Sequence, residues 1–243
     1  MKIFLSFCFA LWAFSFSASA QKNQTEPTKI TYKLDQNAQV RGTNGMEYPY
    51  IIWNKLMQTG KYGVKLVDKT NPDAPIFLMY ELTEEEISAR FDKMAKPRES
   101  GSFKDGDEFI PFNFRDIQNK KFKSEDLVGK VIVLNFWFIN CPPCRQEIPD
   151  LNDLVVQYKD KEVFFIAVAL DPWSDINDYV SKTPFNYHIL PDSRYLADKY
   201  GVKSYPTHVV IDKSNKVIFQ TTGLGINTVY WVKKSIDQAL AVQ

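Results

Sequence analysis

Two cysteines separated by two residues are the most chemically suggestive feature of this sequence. Cys141 and Cys144 are the only cysteines beyond the first twenty residues, because the chain has three and the third is Cys8. A structural disulfide stabilises a protein mainly by closing a long loop, whereas this pair encloses only two residues. The spacing therefore favours a redox-active dithiol over a structural bridge.

The position of the pair along the chain predicts a reactive thiolate. An apolar run over 131–138 precedes Cys141, and a helical pattern starts at Pro142. A helix N-terminus presents unpaired backbone N–H groups and the positive end of the helix dipole, and both stabilise a thiolate. Proline suits the first turn because it lacks an N–H group. We expect Cys141 to attack a partner disulfide, and Cys144, on the same side of the helix, to resolve the mixed disulfide.

A glutamate one helical turn beyond the second cysteine is a candidate proton acceptor. Glu147 lies three residues after Cys144, so the two side chains face the same side of a helix. A carboxylate there could take the proton that the resolving thiol must lose. The spacing alone is equally compatible with a solvated helix glutamate.

Alternating strand and helix patterns after residue 100 predict an α/β fold. The runs at 131–138 and 163–170 are nearly all apolar, which is typical of strands covered on both faces. Helical spacing of apolar residues extends over 142–158 and 228–242. Shorter patterns predict strands at 187–190, 207–212 and 216–222 and helices at 175–181 and 193–200.

The first twenty residues predict export. Lys2 precedes a fourteen-residue apolar run, and Ala18 and Ala20 are the small residues that a signal peptidase reads. A membrane anchor is the alternative, but the run is shorter than the ~20 residues that a spanning helix needs. We therefore expect cleavage after Ala20 and a mature protein in the periplasm or cell envelope. The cut removes Cys8 and leaves the dithiol cysteines as the only thiols.

Residues 21–100 predict a small separate domain of unidentified function. Strand patterns at 62–66 and 76–80 and a helical pattern at 84–95 indicate an α+β or β-rich unit. The polar, proline-containing segment 96–101 is typical of a linker to a second domain that extends to residue 243. With 30 basic and 29 acidic residues and no basic run, the chain lacks the charge pattern of a nucleic-acid-binding protein.

The stretch NFWFINCPPCRQEIPDL, together with the later Tyr205-Pro206-Thr207, resembles the thioredoxin superfamily. Within it, these motifs are similar to those of the TlpA/ResA-like extracytoplasmic thiol:disulfide oxidoreductases. Trp137 lies four residues before the first cysteine, and Pro149 lies five after the second, where the helix of this family kinks. The resemblance covers 101–243 and implies a thioredoxin-like fold, in which helices flank a central mixed sheet.

The resemblance also implies roles for residues around the dithiol. Pro206 is expected to be cis and to lie against the disulfide. Asn135 occupies the position where cytosolic thioredoxins carry a buried aspartate, and an amide cannot act as a base. The family has a glutamate at the position of Glu147, so the proton role moves to that residue. A substrate-binding surface is expected from Trp137, Tyr205, Pro206 and Thr207.

The residues between the cysteines bear on the direction of exchange. A strong oxidant has a strongly stabilised thiolate, and Pro142 and Pro143 carry no charge that would stabilise one, so we expect a reductase. Asn135 is also expected to tune the reduction potential of the dithiol. The resemblance implies disulfide-containing protein substrates, among them apocytochrome c. It also implies a membrane thiol donor of the DsbD/CcdA type. We expect no cofactor.

Three other functions were considered from the same residues. The cysteines could join His188 and His208 in a metal site, although no second paired motif is present and histidines of this kind are usually satisfied by hydrogen bonds. A peroxiredoxin-like peroxidase would need threonine or serine three residues before the reactive cysteine, where this chain has Phe138. The third alternative is a non-catalytic binding module centred on the N-terminal part.

Overall fold

The computed structural model describes residues 32–71 and 74–242. The predicted signal segment, residues 1–20, lies outside the described residues. Within the described part, no helix combines the length and the apolar character needed to cross a membrane. The described chain forms a three-stranded sheet, a two-stranded ribbon and a five-stranded sheet, with helices packed against them.

The N-terminal sheet has three strands, β1 (Gln39–Gly42), β2 (Tyr62–Asp68) and β3 (Ile76–Glu81). The central strand β3 pairs in parallel with β1 and antiparallel with β2. The two predicted strands are confirmed, β2 from its alternating residues and β3 from the run at 76–80. Strand β1 was not predicted, because four residues are too few for a period of two to be recognised.

Helix α1 (Tyr50–Gln58) connects the first two strands and was also not predicted. It begins after Pro49 without a side-chain cap, and its apolar residues Ile51 and Ile52 are exposed, so neither usual sign of an amphipathic helix is present. Its buried residue Trp53 attaches it to the sheet, where it packs in a core with Val40, Phe77 and Met79.

Helix α2 (Glu84–Phe91) begins as the sequence predicts, with a reciprocal capping box between Thr83 and Glu86. It is shorter than predicted, because it ends at Phe91 and not at residue 95. Phe91 is buried, whereas Met94 is 39% exposed and lies in a turn in which its N–H donates to the Phe91 carbonyl. The apolar spacing thus continues beyond Phe91, the last residue of the helix, which is also its buried residue.

A ribbon of two short strands follows, β4 (Phe114–Arg115) and β5 (Lys121–Phe122). The main sheet then contains five strands in the order β10-β9-β6-β7-β8. Strands β6, β7 and β8 are parallel, β9 is antiparallel to β6, and the edge strand β10 is antiparallel to β9. Their bounds are β6 Val131–Trp137, β7 Val163–Ala169, β8 His188–Leu190, β9 Thr207–Ile211 and β10 Val217–Thr222.

The central strand β6 is buried on both faces, as its continuous apolar run predicted. Ile132, Leu134 and Phe136 face a core that includes the ribbon and α5 (Arg194–Lys199). Val131, Val133 and Trp137 face the opposite core, which is covered by three other helices. These are α3 (Pro142–Gln157), α4 (Trp173–Lys182) and α6 (Thr228–Ala241). By the same alternation, Asn135 points to the side of α3.

The segment predicted as a linker, 96–101, has no regular secondary structure but runs along the edge strand β10. The Arg98 carbonyl accepts a hydrogen bond from Thr222 N at 3.0 Å, and Ser100 N donates to the Gln220 side chain. Helix α2 also reaches α6 through an ion pair of 2.6 Å between Asp92 and Lys234. A domain boundary at residue 100 stays a prediction.

Candidate active site

The two cysteines form a disulfide at the N-terminus of α3. Cys141 and Cys144 are bonded, with Cα atoms 5.3 Å apart, and both are buried. Cys141 is the N-cap residue of α3, Pro142 stands in the first turn, and Cys144 N donates a hydrogen bond of 3.3 Å to Cys141 Sγ. The sulfur that would carry a negative charge after reduction therefore lies where helix N–H groups point.

The loop that delivers the chain from β6 to the cysteines is held on two sides. Ile139 N donates to Asp171 Oδ2 at 2.8 Å, and Cys141 N donates to the Phe138 carbonyl at 3.2 Å. The Phe138 ring packs edge-on against Tyr205, with centroids 5.3 Å apart. Phe138 stands three residues before Cys141, where a peroxiredoxin-like peroxidase would need the hydroxyl group of threonine or serine.

The segment before β9 also ends beside this site. The Tyr205–Pro206 peptide bond is cis, as the resemblance implies, and the Pro206 carbonyl accepts from Gly223 N at 2.8 Å. Thr207 pairs in the sheet with Phe136, next to the end of the strand that leads to the cysteines. The sheet register thus brings Pro206 and the dithiol to the same end of the paired strands β6 and β9.

Three of the four residues predicted to bind substrate are buried, namely Trp137, Pro206 and Thr207. Trp137 is fully buried and packs edge-on against Phe185 at a centroid distance of 5.3 Å. The Thr207 hydroxyl donates to the Ser204 carbonyl at 2.8 Å and lies 3.0 Å from the Thr222 hydroxyl. Trp137 and Thr207 thus support the frame of the site, and contact of these residues with a substrate stays a prediction.

Glu147 lies in the interior and not in solvent. Its side chain faces the sheet, where Asn135 Nδ2 donates to Oε1 at 3.1 Å and His208 Nε2 lies 3.0 Å from the carboxylate. All three side chains are at most 1% exposed. The alternative of a solvated helix glutamate is therefore excluded.

Sequence reasoning did not find the partnership of His208 with Glu147. The available signal is a histidine within the mostly apolar strand β9, for which the sequence offers a metal ligand or a histidine satisfied by hydrogen bonds but no particular partner. The other histidine, His188, lies three strands away in β8 and is hydrogen-bonded to Asp116 at 3.0 Å. Among the described residues, no group of three or more histidine, cysteine and acidic side chains is arranged to hold a metal ion.

Tyr187 is a further buried polar residue near this cluster. Its hydroxyl has no hydrogen-bond partner in the described structure. Burial, with a smaller contribution from the charge of Glu147, raises the pKa of Tyr187 well above its ordinary value. The phenol therefore stays neutral beside the carboxylate.

A cleft of about 990 Å³ lies next to the dithiol, between α1 and the first half of α3. Ile51 of α1 faces Pro143 and Gln146 of α3 across it, and Ile226 contributes to its floor. An ion pair of 2.6 Å between Lys61 and Asp150 ties the N-terminal sheet to α3 beside the cleft. The N-terminal unit thus supplies one wall of a groove at the redox site.

The fold and the site together define a thioredoxin-fold protein with a redox-active dithiol at the start of a helix. A family model described as the AhpC/TSA family matches residues 106–220. Thiol-disulfide oxidoreductase ResA of Bacillus thuringiensis (strain Al Hakam) is 35% identical over 120 residues, which are 49% of this chain and 69% of that protein. The chain belongs to the family of ResA thiol-disulfide oxidoreductases, and it is a thiol:disulfide oxidoreductase.

Two other relatives agree with this assignment. Thioredoxin-like protein YneN of Bacillus subtilis (strain 168) is 30% identical over 140 residues, which cover 56% of this chain and 78% of that protein. A solved structure, described as thiol:disulfide interchange protein DsbE from Chlorobium tepidum, superimposes with a TM-score of 0.53 at 30% identity. It covers 57% of this chain and 99% of its own. The N-terminal sheet lies outside the residues that the family model matches.

Proposed function

We propose that the protein is an extracytoplasmic disulfide reductase that acts on partner proteins through Cys141 and Cys144. The observation that carries the proposal is a dithiol at a helix N-terminus with a buried carboxylate, Glu147, one turn further along the same helix. This arrangement combines a stabilised nucleophilic thiolate with a group able to accept the proton of the resolving thiol.

The proposed exchange has two steps. In the reduced protein, the Cys141 thiolate attacks a sulfur of the partner disulfide, so that one partner sulfur leaves as a thiolate and a mixed disulfide forms. Cys144 then passes its proton to Glu147 and attacks Cys141 Sγ. The second partner sulfur leaves as a thiolate and takes up a proton. The partner gains two electrons, and the protein is left with the Cys141–Cys144 disulfide seen in the structure.

The reducing direction is supported by the residues between the cysteines. Pro142 and Pro143 place no charge or polar side chain beside the Cys141 sulfur beyond the helix terminus itself. The predicted export signal supports a location outside the cytosol. A reductase there must be recharged, so the proposal includes a membrane thiol donor of the DsbD/CcdA type. Disulfide-containing proteins such as apocytochrome c are the proposed targets.

The reduction potential of the dithiol tests the direction. We expect a value near the roughly −270 mV of thioredoxin and far from the roughly −120 mV of DsbA. The measurement equilibrates the purified protein with dithiothreitol or glutathione buffers and traps the thiols at each point. A value near that of DsbA would make the protein an oxidant and would contradict the proposed direction.

The cleft beside the dithiol supports a polypeptide substrate. Ile51 is 75% exposed on the α1 wall, so a bound polypeptide would bury an apolar side chain that is otherwise in water. We expect Ile51→Glu to lower kcat/KM for the reduction of insulin by about tenfold, which corresponds to about 1.4 kcal/mol of lost binding. Exchange with a small aromatic disulfide should not change, because it does not extend into the cleft.

Ile110→Glu is the matched control for this substitution. Ile110 is 72% exposed and follows Phe109, whose N–H donates to Asn215 in the β9–β10 turn. That turn is at the opposite end of β9 from the dithiol. Equal effects of the two variants on insulin reduction would argue against a specific role for the cleft.

A further inference from the structure

Glu147, the proposed proton acceptor, is in contact with a second buried titratable residue, His208. The two side chains are fully buried, and His208 Nε2 lies 3.0 Å from the Glu147 carboxylate. They come from different elements, α3 and β9, and are 61 residues apart in sequence. The proposed exchange involves Glu147 as a proton acceptor and does not yet involve His208.

The sheet register explains how His208 comes to face Glu147. In the antiparallel pair of β6 and β9, Asn135 and His208 are direct cross-strand partners. Both side chains point to the face covered by α3. The residues two positions away on each strand point the same way, and they belong to the core on that side. Glu147 is on the inner side of α3, with Cys144 three residues before it. The histidine, the amide and the carboxylate therefore meet directly behind the dithiol helix.

The surroundings of the pair contain few other charges. In the described structure, Glu147 and His208 make side-chain hydrogen bonds and ion pairs only with each other and with Asn135. The other titratable groups near them are Cys144 on α3, the phenol of Tyr187, which precedes β8, and Lys55 and Asp150, which line the same cleft as Glu147. On the opposite side of His208, β10 presents the neutral Thr221, and the part of α6 in this core presents Val232 and Ile236.

Burial makes the protonation of the two groups interdependent. An unpaired charge in the interior costs several kcal/mol, so a change of charge on Glu147 must be balanced nearby. An imidazole can donate to a carboxylate and can accept from a carboxylic acid. The contact between Glu147 and His208 is thus able to persist both before and after Glu147 receives a proton. Asn135 Nδ2 can only donate, so it can contact an unprotonated oxygen of Glu147 but cannot accept from a protonated one.

We propose that His208 is a positioning residue for disulfide exchange, which holds the Glu147 carboxylate toward the dithiol and shares the proton that this carboxylate takes from Cys144. This inference rests on the proposed role of Glu147. In the resolving step, the Cys144 S–H bond breaks and its proton passes to Glu147, where the contact with His208 stabilises it. The electron pair left on Cys144 forms the new bond to Cys141, and the proton later returns to solvent or to the departing thiolate.

The first test observes the histidines directly in the full chain. The sequence contains only two, so selective ¹⁵N labelling of histidine rings gives two sets of signals, and His188→Gln assigns them. We expect the ring shifts of His208 and their pH dependence to differ between the oxidised and the reduced protein. The His188 signals should not differ between the two states, because that ring is hydrogen-bonded to Asp116 and lies in a different part of the sheet. His208 signals that are identical in both redox states from pH 4 to 9 would overturn the proposal.

The second test measures the resolving step. The reduced protein is mixed with one equivalent of bis(nitrobenzoate) disulfide and not with an excess. Each of the two steps of the exchange then releases one coloured thiolate. We expect His208→Gln to leave the first release unchanged and to slow the second about 10- to 100-fold, the size of effect that follows the loss of a group orienting a metal-bound side chain. The pH dependence of the second release should change as well. His188→Gln is the matched control.

The variants also separate a positioning role from a structural one. If His208 acts through Glu147, the double variant Glu147→Gln/His208→Gln should resolve no more slowly than Glu147→Gln alone. A lower melting temperature with an unchanged second release and an unchanged pH profile would assign His208 a structural role and overturn the inference. Absence of the first release in the wild-type protein would instead contradict the proposed function itself.

Discussion

A Cys141→Ser variant is expected to reduce disulfides no faster than the uncatalysed reaction. Attack on a disulfide sulfur requires a thiolate, and a serine hydroxyl at the same helix N-terminus does not supply one. The fold should tolerate the change, since Cys141 and serine are similar in size and a bridge enclosing two residues constrains the unfolded chain little. Insulin reduction with dithiothreitol as donor measures the activity, and circular dichroism checks the fold.

Cys144→Ser provides the matched comparison. This variant keeps the attacking thiol, so it should release one coloured thiolate from the bis(nitrobenzoate) disulfide and stop at the mixed disulfide, which mass spectrometry detects. The wild-type protein should release two. If Cys141→Ser formed the stable mixed disulfide instead, the roles of the two cysteines would be the reverse of those proposed. Full activity in both variants would reject the dithiol mechanism.

The second large effect is expected from Glu147→Gln. A side chain that accepts a proton in a reaction step contributes about 10²- to 10⁴-fold, so the resolving step at neutral pH should slow by at least about 100-fold. The first step should keep its rate, because Cys141 is stabilised by the helix terminus and not by this carboxylate. Glutamine can still hydrogen-bond to Asn135 and His208, which limits the effect on folding.

The effect of this substitution should depend on pH. Without the carboxylate, Cys144 must lose its proton to solvent, so the resolution rate of the variant should rise about tenfold per pH unit until the thiol titrates, ordinarily near pH 8.5. The difference from the wild-type protein should therefore be largest at low and neutral pH and should narrow above that value. Asp153→Asn removes an exposed carboxylate from the same helix and is the control. Equal rates of Glu147→Gln and wild type at every pH would remove Glu147 from the mechanism.

The elements of the second half of the chain were predictable because their residues carry strong local signals. Strand β6 is apolar except for Asn135 because both of its faces are buried, and α3 repeats its apolar residues every three or four positions because one side packs on the sheet. The N-terminal elements β1 and α1 lack such signals. Trp53 is the one buried residue of α1, with Leu56 and Met57 packed partly against the same core, and the exposed Ile51 lines the cleft.

The redox chemistry could be deduced from the sequence because it depends on residues close together in the chain. The spacing of the two cysteines, the preceding strand and the following helix are all local, and they predict a dithiol at a helix terminus. The environment of Glu147 depends on contacts between distant segments. The pairing of β6 with β9 places Asn135 opposite His208, and the packing of α3 on that face brings the carboxylate to both. No local pattern encodes this register, so the choice between a solvated and a buried, paired glutamate required the folded structure.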